Sequence, residues 1–272
     1  MGQFKWTDRQ IREGRGQGTG EHYLPWIHVR DFSSKGKASR FKSWKSGRTI
    51  QCFSDIETAF AYLLEWSDAI VDYYEQFPLL PLEETIELAD RLGVRIPVAN
   101  GEPRVRTTDF VIDFQAEGQL LRRARSIKPA KELSVRAKVL ALELERQFWA
   151  VRSTDWAIIT ENEIPWPMAK NIEWVHSART LDDHEHIATL PLADILPVLR
   201  IALDAQDQPL AIACLEVDRK LGLELGTSLF LVRHQLATKA WRIDMHQAIK
   251  TQDVLRLHPA ESADECLERG VA

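Results

Sequence analysis

Apolar and polar positions alternate between helical and strand-like periods through the first 160 residues. The stretch TDRQIREGRGQG predicts a short helix begun by Thr7 or Asp8 and ended by Gly14. A glycine-rich loop from Arg15 to Gly20 follows. It is not a nucleotide phosphate loop, because no strand precedes it and no Gly-Lys-Ser/Thr follows. SDIETAFAYLLEW predicts a helix with Ser54 as N-cap and Glu57 as the partner in a capping box. AIVDYYEQFPLLP reads as a strand halted by Pro78 and Pro81, and LEETIELADRLG as an amphipathic helix ending at Gly93.

Two β-rich runs come next, RVRTTDFVIDF and GQLLRRARSIKPA, joined through QAEGQ as a hairpin. SVRAKVLALELERQFWAVR predicts a long helix and WAIIT a short buried strand. Helix, strand, helix, strand, strand, helix, strand is the order of an α/β domain with a mixed sheet flanked by helices, placed over residues 1–160. From about residue 161 to 272 the text is mainly helical. LGTSLFLVRHQLATKAWRID there suggests a helix followed by a small β-ribbon, as in winged-helix folds. No internal repeat or low-complexity stretch interrupts either part.

Composition narrows the class. The chain has 272 residues, 44% hydrophobic and 28% charged, enough for one large or two modest cores. No apolar run nears the length of a bilayer span, and MGQFKWTDRQ lacks the apolar core of a signal peptide. Cys52, Cys214 and Cys266 are too scattered for a disulfide framework or a zinc site. A soluble, cytoplasmic protein is expected. The net charge is −5, yet the first fifty residues hold eleven Lys or Arg against four Asp or Glu. Such a local surplus suits phosphate neutralisation, and a solvated basic face explains it equally well. Within it Arg15, Lys35, Arg40 and Arg48 are the candidate DNA contacts. The acidic words LDDHEH and ESADECLE in the last third argue against that region as the main DNA grip.

Three polar residues are not required by the local patterns: Glu57 opening a helix, Asp109 in the first strand of the hairpin and Lys128 at the end of the second. A hairpin brings strand ends together, so Asp109 and Lys128 are candidate neighbours, with Glu57 aimed at the same edge. Two carboxylates and a lysine are the minimum for metal-assisted phosphodiester hydrolysis, because Mg²⁺ takes oxygen ligands and keeps waters for substrate. The residues alone leave open the plainer roles of capping box, strand-end turn former and edge-strand guard. His184 and His186 lack a third ligand and read as solvated, and Phe148 and the tryptophans as core.

The words REGRGQGTGEHYLPWIHVRDFSSKGKASR, SGRTIQCFSDIE, YYEQFPLLP, TTDFVID and KNIEW together resemble the TnsA endonuclease family, from about Arg12 to Trp174 and more loosely beyond. The resemblance implies a restriction-endonuclease-like PD-(D/E)xK core followed by a winged-helix domain. It implies a Mg²⁺-dependent endonuclease, with Mn²⁺ able to substitute, that cuts the 5′ ends of a transposon. Its implied partners are transposon-end DNA, a DDE-type transposase subunit and an AAA+ ATPase regulator, in a bacterial cytoplasm. Carried onto this chain, the catalytic residues are Glu57, Asp109 and Lys128, with Glu57, Asp109 and the Ile127 carbonyl as metal ligands. Many restriction enzymes carry an acid two residues before the lysine, and this chain has Ser126. The serine hydroxyl is a candidate contact for a metal-bound water. Glu145 on the following helix is a further candidate for such a water. Two other functions remain: a stand-alone restriction or repair nuclease, and an inactive DNA-binding adaptor in which Ser126 marks decay.

Overall fold

A computed structural model describes residues 4–31, 38–99, 101–182, 184–205 and 207–259. They divide into two compact units, Met1–Ile164 and Pro165–Ala272. Lys35 and Cys266, both raised by the sequence, lie outside the described residues. No helix among the described residues is long and apolar enough to cross a membrane.

The first unit begins with helix α1, Lys5–Arg12, which starts earlier than Thr7 or Asp8 because Phe4 takes the N-cap position. Strands β1 (Ser39–Lys42) and β2 (Thr49–Cys52) form an antiparallel pair that the sequence pattern had not revealed. Helix α2 (Asp55–Trp66), strand β3 (Ile70–Pro78) and helix α3 (Leu82–Leu92) follow. After the two-residue strands β4 (Val98–Ala99) and β5 (Glu102–Pro103) come β6 (Thr107–Ala116), β7 (Gln119–Ile127), α4 (Arg136–Val151) and β8 (Asp155–Ile159). The main sheet has four strands in the order β3-β6-β7-β8. Its first two pairings are antiparallel and the β7–β8 pairing is parallel, so the sheet is mixed as expected.

Alternation along the strands places helices on both faces. Tyr74, Val111 and Ala124 pack with Leu88 and Ala89 of α3 and Leu144 and Phe148 of α4. Tyr73, Phe110, Ile112 and Ile127 pack on the other face with Ala61 and Leu64 of α2 and Ile50 and Cys52 of β2. Strand β6 is buried along most of its length, as a central strand covered on both sides must be. The glycine-rich loop is structural. A Cβ on Gly16, whose φ is +70°, would fall 2.3 Å from the Pro78 ring that ends β3.

The second unit contains α5 (Trp166–His176), α6 (Glu185–Ala188), α7 (Leu192–Asp204), α8 (Leu210–Leu221) and α9 (Thr227–Ala237). Asp218 joins α8 to α9 by accepting from the N–H groups of Gly226 (2.7 Å) and Ser228 (2.8 Å). The β-ribbon expected after the last helix is not formed, and no strand occurs among the described residues beyond Ile159. The reason is visible in the hydrogen bonds. The Asn171 amide donates to the Met245 and Gln247 carbonyls, and its oxygen accepts from Ile249 N–H. Two N–H groups at the start of α8, Leu210 and Ala211, donate to Asp253 and Thr251. Backbone groups that would need a ladder partner are met by one side chain and one helix end.

Arg48 corrects a second expectation. It is buried, donating to Glu75 at 2.5 Å and to the Tyr73 carbonyl, with its guanidinium 5.0 Å from the Tyr23 ring centroid. It therefore neutralises an interior carboxylate and is not available to a DNA phosphate. Even beside this cation the Glu75 carboxyl is raised above its ordinary range, because burial outweighs the Arg48 charge. Replacing Arg48 with Met keeps the volume and strips the charge from an enclosed pair. Urea unfolding should then show a loss of roughly 3–5 kcal/mol. An unchanged midpoint would return Arg48 to the surface role.

Candidate active site

The β6–β7 ladder runs from Ala116↔Gln119 to Phe110↔Arg125, and Asp109 lies one residue past its end. There the Asp109 carboxylate takes the place of a backbone acceptor. Its Oδ2 receives the Ile127 N–H at 2.6 Å and the Lys128 ammonium at 2.6 Å. The same ammonium donates to the Ile127 carbonyl at 2.9 Å. Lys128 is fixed by its own backbone too, since its N–H donates to Ile159 on β8 at 3.0 Å. The hairpin geometry thus brings Asp109, Ile127 and Lys128 together.

Glu57 reaches the site from α2, and its capping role is real. Its carboxylate accepts from Phe53 N–H at 3.0 Å and from the Ser54 hydroxyl at 2.9 Å, while its N–H donates to Ser54 Oγ at 3.2 Å. Burial first, and then the Asp109 charge, push its carboxyl up to about 7. The plain and the catalytic readings of Glu57 are therefore compatible: the cap holds a carboxylate that feels Asp109.

Ser126 and Glu145 form a pair. The Ser126 hydroxyl donates to Glu145 Oε2 and accepts from Trp156 Nε1 at 3.1 Å. Thr108 also donates to Glu145 Oε2, at 3.3 Å, and is itself held by Trp149 Nε1 at 2.8 Å. Glu145 is buried, and burial followed by the Asp109 charge push its carboxyl up to about 7. For Lys128 burial opposes the charge, but Asp109, Glu145 and Glu57 raise its pKa above the ordinary lysine value. Three carboxylates thus act on one ammonium, Asp109 by contact and Glu145 and Glu57 through their charge, an excess of negative charge at the strand ends.

Gln76 is the site residue that the sequence had not marked. Its backbone is left-handed, with φ of +50°, beside the strand position of Asp109. Its amide donates to Asp109 Oδ1 at a long 3.5 Å and accepts from the Thr107 hydroxyl at 2.9 Å. Nothing in the YYEQF pattern advertises a positive φ. Asp72 and Glu75 make the same strand polar at two other positions, so the residue type did not single Gln76 out either.

The remaining candidates lie elsewhere. Arg15 donates to Asp31 at 2.7 Å and to the Trp26 carbonyl at 3.1 Å, so its charge is locally balanced. Arg40 is exposed on β1. The His184 ring rests 4.3 Å from the Phe230 ring, and His186 is exposed. Phe148 and Trp149 are core, as expected. Among the described residues no three His, Cys, Asp or Glu side chains are gathered tightly enough to hold an ion by side chains alone. The donor set at the strand ends nevertheless suits a hard cation. It offers carboxylate and carbonyl oxygens only, and the Lys128 ammonium already bridges Asp109 Oδ2 and the Ile127 carbonyl.

Asp109 and Lys128 thus pair at the ends of adjacent strands of a mixed sheet, and they are residue types that metal-assisted phosphodiester hydrolysis requires. A family model described as TnsA-like endonuclease N terminal matches residues 67–161, and one described as TnsA endonuclease C terminal matches residues 163–245. The chain is also 34% identical over 263 residues to the transposon Tn7 transposition protein TnsA of Escherichia coli, covering 97% of this chain and 91% of that protein. The chain belongs to the TnsA endonuclease family.

The Ser126–Glu145 contact carries a test. Ser126→Ala removes a donor from a buried carboxylate and should cost about 1–3 kcal/mol in urea unfolding. Ser126→Asp, which restores the acid of the sequence motif, should cost more, because two carboxylates would then meet at hydrogen-bond distance. An Asp variant as stable as the parent would overturn the pairing.

Proposed function

We propose that this protein is a Mg²⁺-dependent endonuclease that cleaves the 5′ ends of a transposon during cut-and-paste transposition. The observation that supports it most is the Lys128 ammonium shared between Asp109 and the Ile127 carbonyl, with Glu57 and Glu145 electrostatically coupled to the same point. Asp109, the Ile127 carbonyl and Glu57 would hold the ion. Mg²⁺, with Mn²⁺ as substitute, would supply water activation and neutralisation of phosphate charge.

The chain's own residues supply the rest. Lys128 orients the attacking water and offsets charge on the phosphodiester during in-line attack, which leaves a 5′-phosphate. Glu145 provides the carboxylate that a serine at position 126 does not, and Ser126, Thr108 and Trp156 fix its direction. Gln76 holds the second oxygen of Asp109.

The first unit is read as a restriction-endonuclease-like core and the second as a winged-helix-type domain without its ribbon. The relative's role in transposition points to transposon-end DNA and a DDE-type transposase subunit that cuts and joins the 3′ ends. An AAA+ regulator would engage the acidic C-terminal unit.

In a reconstituted transposition complex, Asp109→Asn, whose amide oxygen can still accept from the Ile127 N–H, and Lys128→Ala should each reduce 5′-end nicking by at least about a hundredfold. Glu145→Gln should fall in the same range. Unchanged nicking in the Asp109 variant would sink the assignment. Robust cleavage of plain plasmid by the isolated protein would favour a stand-alone nuclease instead.

A further inference from the structure

Asp109, Glu57 and Glu145 give the strand-end site more carboxylates than cations, and a phosphodiester would bring a further negative charge. Lys128 is already engaged, by Asp109 at 2.6 Å and by the Ile127 carbonyl at 2.9 Å. The approach of a phosphate therefore calls for another cation from the chain, even where a bound ion supplies part of the charge. Arg106, three residues before Asp109, meets that need.

Its position follows from the sheet. The Arg106 carbonyl accepts from the Leu79 N–H at 2.8 Å, which carries the β3–β6 pairing one step beyond Thr107. Side chains two apart on a strand share a face. Thr108, two residues on, donates to Glu145 Oε2 at 3.3 Å, and Leu79 opposite packs with Leu88 and Leu144. Arg106 is thus on the α4 face of the sheet, where its charge acts on the Glu145 carboxyl against the effect of burial.

Arg106 nevertheless makes no ion pair and no side-chain hydrogen bond among the described residues. In the same unit Arg15, Arg48, Arg122, Arg125 and Arg152 are each paired with a carboxylate. The oxygen of Glu145 that could have received Arg106 is taken by Ser126 and Thr108. The Arg106 Nε is buried and unmet, so it is not the binding atom, while the residue as a whole is half-buried. Its two terminal nitrogens, unpaired and not sealed in, present a two-donor edge to solvent. Such an edge fits two phosphate oxygens at once, and a guanidinium keeps its charge at any working pH.

We propose that Arg106 contacts a phosphate of the DNA strand being cut, beside the scissile bond, and holds it against the repulsion of the strand-end carboxylates. This substrate contact rests on the nuclease reading above.

The test uses end-containing duplexes, each with one phosphate near the nicked bond replaced by a neutral methylphosphonate. Affinity for the full-length protein is read by fluorescence anisotropy with Ca²⁺ in place of Mg²⁺, and nicking in the reconstituted complex. In the parent, one position flanking the nick should lower affinity about tenfold, the worth of one charge-assisted contact. Arg106→Met should weaken the unmodified duplex by the same factor, and the methylphosphonate at that position should then cost nothing more. Losses that multiply, as a structural role would give, or no position coupled to Arg106, overturn the proposal. Arg106→Lys keeps the charge and loses the fork, so its methylphosphonate penalty should be smaller than the parent's. That variant decides the question if Arg106→Met does not fold, and an undiminished penalty in it overturns the proposal. Asp109→Asn separates the contact from the reading beneath it. Coupling at Arg106 with nicking unchanged in Asp109→Asn removes the nuclease assignment and leaves a DNA contact. Nicking lost in Asp109→Asn, with no position coupled to Arg106, does the reverse.

Discussion

The contact on which the first unit depends is a carboxylate standing in for a backbone acceptor. At the end of the β6–β7 ladder the Ile127 N–H would otherwise lack a partner inside the protein, and Asp109 provides it. A buried carboxylate in turn demands a counter-charge, and Lys128, the residue that follows the end of β7, supplies one. The strand therefore has to end there, with its carbonyl and ammonium turned to the same point. The end of the strand and the convergence of these polar groups have one cause.

Charge accounting explains why position 126 holds a serine. Asp109, Glu57 and Glu145 already act on a single ammonium, and burial raises the carboxyls of Glu57 and Glu145 to about 7. A further acid at position 126 would point at Glu145, whose oxygen it would meet where the hydroxyl now donates. Serine is a neutral donor and converts that repulsion into a hydrogen bond. The apparent gap in the sequence motif is thus matched by a carboxylate delivered from α4. The serine supports that carboxylate by donating to it.

Much of this was legible in the sequence because it depends on local period and local chemistry. The capping box at Ser54 and Glu57, the hairpin carrying Asp109 and Lys128, and the strand β8 all follow from short-range pattern. What escaped depends on contacts far apart in the chain. The β1–β2 pair has strands of four residues in a polar stretch, too short to show a period. The left-handed Gln76 is set by neighbours across the sheet, and Glu145 looked like any helix charge until Ser126 and Thr108 met it. The ribbon after α9 was expected from a pattern that Asn171, more than seventy residues earlier, redirects.

The basic N-terminal stretch shows how a charge count overstates a surface. Eleven cations against four anions reads as a grip for phosphate. Yet Arg48 is sealed against Glu75, a residue beyond the counted stretch, and Arg15 is balanced by Asp31 within it. Charges fixed in this way add no field at a DNA backbone within a Debye length, because their partners cancel them. Exposed Arg40 and Lys42 alternate along β1 and retain theirs. The composition of the segment therefore overstates the charge that it exposes.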